Sequence, residues 1–160
     1  MGWVAGVVAA VVGVVVVVVG TYVLGMRFKL GFAQQAVIAF TKHVVNPRMR
    51  RTAGQPGASA AIVRNVGRSS GRVYETPVGA EPVDGGFVIA LPYGSRPNWL
   101  RNVLAAGHAT LVHQGHAYRV ERPEVVPLEP FAAAFSPSDQ TLHSVFHVDQ
   151  ALHVRIAAPA

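Results

Sequence analysis

The chain has 160 residues, which is enough for one domain and a short appendage. It contains no cysteine, which excludes disulfides, thiolate metal sites and cysteine catalysis. The formal net charge is +6, and the basic excess lies in the first half of the chain, because no Asp or Glu precedes Glu75.

The acid-free part of the sequence indicates an anionic partner. Its basic residues are Arg27, Lys29, Lys42, Arg48, Arg50, Arg51, Arg64, Arg68 and Arg72. Lipid headgroups and phosphorylated or polycarboxylate ligands fit such a charge excess. A nucleic acid is not expected as a partner, because the sequence contains no known DNA- or RNA-binding motif.

The first predicted element is a membrane-spanning helix within residues 1–25. The run from Trp3 to Leu24 carries no charge and is dominated by Val, and a helix of that length is roughly 30 Å long, about one hydrocarbon core. Basic residues follow the run, so the positive-inside rule predicts a single-pass protein of the cell membrane with a cytoplasmic C-terminal domain. The alternative is a signal peptide cleaved near Val18-Val19-Gly20, although no Lys or Arg precedes the apolar run.

Residues 26–57 are predicted to form a basic juxtamembrane helix and a linker. Between Met26 and Val45, apolar residues are interspersed with Lys and Gln, a pattern typical of an amphipathic helix on a membrane surface. Asn46-Pro47 ends this helix, because a residue before proline disfavours the α conformation. The loop Gly54-Gln55-Pro56-Gly57 then leads into the predicted globular domain, residues 58–160.

The globular domain is predicted to consist of short strands separated by glycine turns. The predicted strands are Ala60–Val66, Arg72–Val78, Phe87–Leu91, Ala109–His113, Ala117–Val125 and Ala151–Ile156. The turns are Gly67–Gly71, Asp84-Gly85-Gly86 and Gln114-Gly115. Helices are predicted at Pro97–Ala106, Leu128–Phe135 and Leu142–Phe146. Six short, mostly antiparallel strands with few helices favour a small barrel, since closure removes exposed edges.

The turn between the first two predicted strands is the strongest candidate for a binding site. The run Val66-Gly67-Arg68-Ser69-Ser70-Gly71-Arg72 combines two glycines, two hydroxyls and two guanidinium groups, which can direct several donors at one anion. Its glycines and serines also match the G-x-S-x-G pattern of serine hydrolases. That pattern belongs between a strand and a helix, whereas both flanks here are predicted strands, so a hydrolase is disfavoured.

The histidines do not predict a metal site. His143 and His147 stand four residues apart, and His108, His113 and His116 form a cluster in the sequence. A zinc site needs three or four ligands, and no third ligand or carboxylate lies at a matching spacing. We therefore expect no metal.

Three segments occur in the order and spacing of a known family. They are the turn Val66–Arg72 followed by Glu75-Thr76-Pro77-Val78, then Phe87–Gly94, and then Pro97–Val103. In this order they resemble the deazaflavin (coenzyme F420)-dependent nitroreductases and quinone reductases, over about Asn46 to Ile156. The resemblance implies a mainly β (α+β) fold, a split β-barrel related to the FMN-binding barrels.

The resemblance also implies which residues hold the cofactor. The phosphate-bearing part would lie at the turn, with contributions from Gly67, Arg68, Ser69, Ser70, Gly71, Arg72 and, on the next strand, Pro77. The deazaflavin ring would lie beside Ala90, Leu91, Pro92, Tyr93 and Gly94, and the family's W-x-x-N falls on Trp99 and Asn102. Many members carry a basic residue where Ser69 and Tyr74 stand, so an ordinary flavin such as FMN, or no cofactor, is the alternative.

The activity implied by the resemblance is hydride transfer from reduced F420 to a nitro, quinone or other lipophilic acceptor. The cofactor carries this chemistry and the protein positions it. A proton would come from water, or from Tyr74 or Tyr93. Barrels of this type often pair, so a homodimer is a further prediction. The alternative function is a non-catalytic, membrane-tethered protein that binds a flavin, a deazaflavin or a lipid.

Overall fold

The structure is a computed structural model that describes residues 51–158. The predicted membrane-spanning helix and the predicted juxtamembrane helix lie outside this range. Between residues 51 and 158, no helix is long and apolar enough to cross a bilayer. The described part is the predicted globular domain together with the end of the preceding linker.

Strands make up most of the regular structure in this domain. In chain order the elements are β1 (Ala61–Val66), β2 (Val73–Val78), β3 (Ala80–Val83), β4 (Gly86–Ala90), α1 (Asn98–Ala106), β5 (His108–His113), β6 (His116–Pro127), a 3-10 helix (Glu129–Ala134), α2 (Pro137–Val145) and β7 (Gln150–Ile156). The six predicted strands are all present, with ends shifted by one or two residues.

The seven strands form one antiparallel sheet with the order β2-β1-β5-β6-β7-β4-β3. Its two edge strands, β2 and β3, are consecutive in the chain and are separated by Gly79 alone. A sheet whose opposite edges are joined by one residue has to curl, because each strand adds about 4.8 Å to its width. The domain is therefore a curled half-barrel of the split-barrel kind, and the mainly β fold prediction is confirmed.

Alternate side chains of the strands fill the interior of the curl and form its inner cluster. On β4, Phe87 and Ile89 belong to the inner cluster, whereas Val88 packs on the outer face against the segment Leu128–Phe135. Leu100 and Val103 of α1 also belong to the inner cluster. Helix α1 thus packs on the barrel through its apolar face.

Two predicted helices and one edge strand differ from the sequence predictions. The sequence does not predict β3, because its four residues include Glu81 and Pro82, which disfavour strands. Helix α2 begins at Pro137 rather than at Leu142, because the Ser136 side chain accepts a hydrogen bond from the Asp139 N–H at 3.2 Å and caps the helix. The predicted helix Leu128–Phe135 is a short 3-10 helix.

The end of the linker is held against the barrel. Ala53 packs with Ile62 on the outer face of β1. In the turn between β5 and β6, Oε1 of Gln114 accepts a hydrogen bond from the N–H of Gly57 at 2.6 Å. The loop Gly54–Gly57 is therefore attached to the domain.

Candidate functional site

The turn that joins β1 to β2 is closed by two backbone hydrogen bonds. The N–H of Gly67 donates to the carbonyl of Arg72 at 2.7 Å, and the N–H of Gly71 donates to the carbonyl of Gly67 at 2.8 Å. Gly71 has a φ of +65°, in the left-handed region that glycine adopts without steric cost. The turn lies between two antiparallel strands, so it lacks the strand-to-helix geometry of a serine hydrolase.

Tyr74 covers this turn from β2. Its ring lies so close to Gly67 that a Cβ at that position would be 2.6 Å from Tyr74 Cε2 and 2.5 Å from Ser70 Oγ. Tyr74 Oη and Ser70 Oγ are hydrogen bonded at 3.1 Å. In this arrangement Tyr74 and Ser70 leave no room for a Cβ at position 67 unless one of these exposed side chains turns, and the two hydroxyl groups lie side by side at the turn.

Arg68 ties the turn to α1. Its backbone N–H and its Nη1 both donate to Oδ1 of Asn102, at 3.3 and 2.8 Å, and Nη2 donates to Oδ1 of Asn98 at 3.5 Å. Asn98 and Asn102 are four residues apart and so share one face of the helix. Since Asn102 is only 6% exposed, the turn is fixed to a buried side chain of α1.

The positive charge of the turn is not neutralised within residues 51–158. Both side-chain partners of Arg68 are uncharged amides, and exposed Arg72 makes no ion pair there. The first turn of α1 contains no acidic residue, and its free N–H groups add positive potential. Glu75 is already paired with Arg64 at 2.6 Å. The turn and the start of α1 therefore form a site suited to an anion.

Asn65 is a buried polar residue beside the turn, and the sequence predictions do not include it. On β1 it follows Ala61 and Val63 of the inner cluster at alternate positions, and it pairs with Tyr74 on β2. Asn65 is 4% exposed, and its Oδ1 has no hydrogen-bond donor among residues 51–158. The signal that would have found it is a polar side chain where strand alternation requires a buried one.

The predicted ring-binding segment leads from the end of β4 toward α1. Leu91 is buried in the inner cluster, whereas Ala90 packs on the outer face. Pro92, Tyr93 and Gly94 form a half-buried turn that the Gly94 N–H closes by donating to the carbonyl of Leu91 at 2.9 Å. Contact between this segment and a cofactor stays a prediction.

The remaining predicted cofactor-binding residues have different environments. Trp99 is half-buried and packs against the inner cluster. Pro77 pairs with Ile62, whose side chain lies on the outer face of the barrel, so Pro77 faces away from the interior. Ser69 is exposed in the turn. Of the predicted residues, Arg68 and Asn102 are brought together most directly.

Four of the described histidines have ring contacts with aromatic side chains, and two of these four have a shifted pKa. His143 lies edge-on to Phe135 with ring centroids 4.8 Å apart, and His113 lies edge-on to Phe87 at 5.4 Å. Burial lowers the pKa of both imidazoles from the ordinary value of 6.5, and Asp139 partly offsets that shift at His143. No group of three His, Asp or Glu side chains between residues 51 and 158 could hold a metal ion.

The site suits the phosphate-bearing part of the cofactor that the sequence resemblance implies. Arg68 and Arg72 supply positive charge that the described residues leave uncompensated, and guanidinium groups bind phosphate in a bidentate way. Oδ1 of Asn65 is an acceptor that an O–H or N–H of a ligand would satisfy. F420 and FMN both combine a phosphate with a hydroxyl-bearing chain, so the residues present fit either cofactor.

Comparison with known proteins finds likenesses among solved structures. One is an F420-H2 dependent reductase, at 14% identity and TM-score 0.44, with 61% of this chain and 94% of that chain covered. Another is an F420 reductase, at 13% identity and TM-score 0.43, with 68% and 93% covered. A third is described as a 5-nitroimidazole antibiotic resistance protein from Bacteroides thetaiotaomicron VPI-5482, at 13% identity and TM-score 0.45, with 70% and 80% covered.

These names agree with the family that the sequence resembles. At such identities and TM-scores, however, the likenesses carry no conclusion about what this chain binds or does. No protein-family model matches the chain, and no curated protein matches it.

Proposed function

We propose that the chain is an oxidoreductase that transfers a hydride from reduced coenzyme F420 to a nitro, quinone or other lipophilic acceptor. Beside the sequence resemblance, one structural observation supports this proposal. Arg68 is locked to Asn102 of α1, while its charge has no acidic partner in the described residues. A guanidinium held in place by neutral amides is preorganised for an anion, because less side-chain freedom is lost when the anion binds.

The residues of the site have separate tasks in this proposal. The bound cofactor supplies the hydride. Arg68 and Arg72 hold its phosphate-bearing part through charge-assisted hydrogen bonds. Tyr93, in the predicted ring-binding segment, is the candidate donor of the proton that the reduced acceptor takes up, whereas the Oη of Tyr74 is bonded to Ser70 at 3.1 Å on the phosphate side of the site.

We also propose that residues 1–25 anchor the protein in the cell membrane with the domain on the cytoplasmic side. The uncharged run from Trp3 to Leu24 and the basic residues that follow it support this location. A lipophilic acceptor would then reach the domain from the bilayer. Fractionation tests it: the full chain should stay with membranes through an alkaline carbonate wash, whereas a variant without residues 2–25, which keeps only the predicted surface helix, should be released.

The proposed activity is tested by turnover of the full chain in lipid vesicles. Reduced F420 is supplied with a quinone or a nitroaromatic compound, and its oxidation is followed by absorbance. We expect oxidation that depends on both the protein and the acceptor. If F420 binds but no acceptor that is supplied leads to its oxidation, the chain is a non-catalytic binding protein. Absence of F420 binding would reject the proposed activity and leave only a flavin- or lipid-binding protein as the alternative.

A further inference from the structure

We propose that Oδ1 of Asn65 accepts a hydrogen bond from the hydroxyl-bearing chain of the cofactor, and that Asn65 thereby selects ligands with a polyol next to a phosphate. The inference rests on the proposed function, because it takes the phosphate to lie at the turn Gly67–Arg72. It adds a binding residue that the sequence resemblance does not supply.

The Oδ1 atom of Asn65 is buried and lacks a hydrogen-bond donor in the described residues. Asn65 is 4% exposed, and its Nδ2 donates to the carbonyl of Val66 at 3.4 Å. This bond directs Oδ1 away from the Val66 backbone, and Oδ1 has no donor among residues 51–158. A buried polar atom without a partner destabilises a fold, so a residue of this kind calls for a functional explanation.

Asn65 lies on β1 at a suitable distance from the turn to meet the hydroxyl-bearing chain of the cofactor. It lies two residues before Gly67, and a strand rises about 3.3 Å per residue, so Asn65 is about 7 Å from the start of the turn. In F420 and FMN, the group at about that distance from the phosphate, on the side of the ring, is the polyol chain. Its hydroxyls are the donors that an amide oxygen needs.

The side chain of Tyr74 covers Asn65 from the neighbouring strand. Tyr74 pairs with Asn65 across β1 and β2, and therefore shares its face of the sheet. Tyr74 is 43% exposed, and within residues 51–158 its Oη is bonded only to the exposed Ser70. In our proposal the Tyr74 side chain turns away when the polyol enters, which brings the ligand against Oδ1 of Asn65.

The test compares Asn65→Thr with Asn65→Val, which have nearly the same shape but differ in the hydroxyl acceptor. Both are titrated beside the native protein with F420, FMN and lumichrome, a flavin ring without polyol or phosphate. We expect Asn65→Val to bind the two cofactors about tenfold more weakly, and Asn65→Thr to lose less than about threefold. Affinity for lumichrome should be the same in all three proteins.

Thermal unfolding without ligand gives a second readout. Asn65→Val should be at least as stable as the native protein, because it removes a buried oxygen without a partner. Lower stability together with weaker binding of all three ligands would show a merely structural role and overturn the inference. Native-like cofactor affinity in Asn65→Val would also overturn it, while leaving the proposed function intact. If the native protein binds neither F420 nor FMN, the proposed function fails and the inference fails with it.

Discussion

Because Gly67 has no side chain, Tyr74 and Ser70 can approach the backbone of the turn closely. The Tyr74 ring occupies the space that a Cβ would need, and the Ser70 hydroxyl lies equally close. The hydrogen bond between Ser70 and Tyr74 depends on this approach. The glycine of the motif thus has a steric role beside the turn, which the motif alone does not reveal.

Gly67→Ala should lower the free energy of unfolding by about 1 kcal/mol or less, because the atoms nearest the new Cβ, Ser70 Oγ and the Tyr74 ring, belong to exposed side chains that can turn aside. In a Tyr74→Ala background the same substitution should cost less, because the obstructing ring is gone. Urea unfolding of the four proteins gives this coupling as a double-mutant cycle. Equal costs in the two backgrounds would show that Tyr74 does not restrict position 67.

At the residue scale, the sequence could predict the turn but not all of its contacts. Gly67 and Arg68 follow from the motif and from the local charge excess. Asn102 is predicted as a cofactor contact, whereas the structure shows it holding Arg68. Asn65 could not be predicted as unpaired, because strand alternation shows which face a side chain takes but not which partners it finds there.

Strands β4 and β7 approach each other closely at Gly86. At Gly86 a Cβ would collide with the backbone carbonyl of Val154 on β7. A backbone oxygen within a strand pair cannot move aside as a flexible side chain can. The close packing of β4 on β7 therefore requires glycine at position 86.

Gly86→Ala should destabilise the protein by about 3 kcal/mol or more, at the upper end of overpacking effects. Gly79→Ala is the matched control, because within residues 51–158 only the chain neighbours of Gly79 lie within 4 Å of the position that the Cβ would take, and it should change stability by at most about 0.5 kcal/mol. Urea unfolding of both variants measures the difference. Similar stability of the two variants would contradict the described packing of β4 on β7.

The elements of the domain were predictable where local signals and tertiary packing agree. Alternating apolar residues and glycine turns identify six strands. The strand Ala80–Val83 escapes prediction because an edge strand that pairs only with β4 tolerates Glu81 and Pro82. The start of α2 was missed because its capping residue, Ser136, lies before a polar first turn rather than an apolar one.

The stability of the whole domain should depend on pH through its half-buried histidines. Burial lowers the pKa of His113 and His143 below 6.5. The folded state then binds a proton less readily than the unfolded chain does, so stability is complete above pH 6.5 and falls as the pH drops through the lowered pKa values. At Glu81, burial and Asp139 raise the pKa above 4.5, so its contribution is complete below pH 4.5 and is lost as the pH rises through the raised value.

His143→Leu should therefore reduce the loss of stability on acidification. The comparison is the free energy of unfolding at about pH 7.5 and about pH 5.5, on either side of the ordinary imidazole pKa. If His143→Leu loses as much stability as the native protein over this interval, His143 does not contribute to the pH dependence.

The anion site at the β1–β2 turn is tested most directly by the dissociation constant of F420, measured for the native protein, Arg68→Ala and Arg119→Ala. Arg119 is exposed on β6 and makes no ion pair between residues 51 and 158, so its loss controls for net charge. We expect Arg68→Ala to bind F420 about 10- to 100-fold more weakly, the effect of losing a hydrogen bond to a charged group. Arg119→Ala should bind within about twofold of the native protein. Equal affinity of Arg68→Ala and the native protein would contradict the assignment of the turn as the phosphate site.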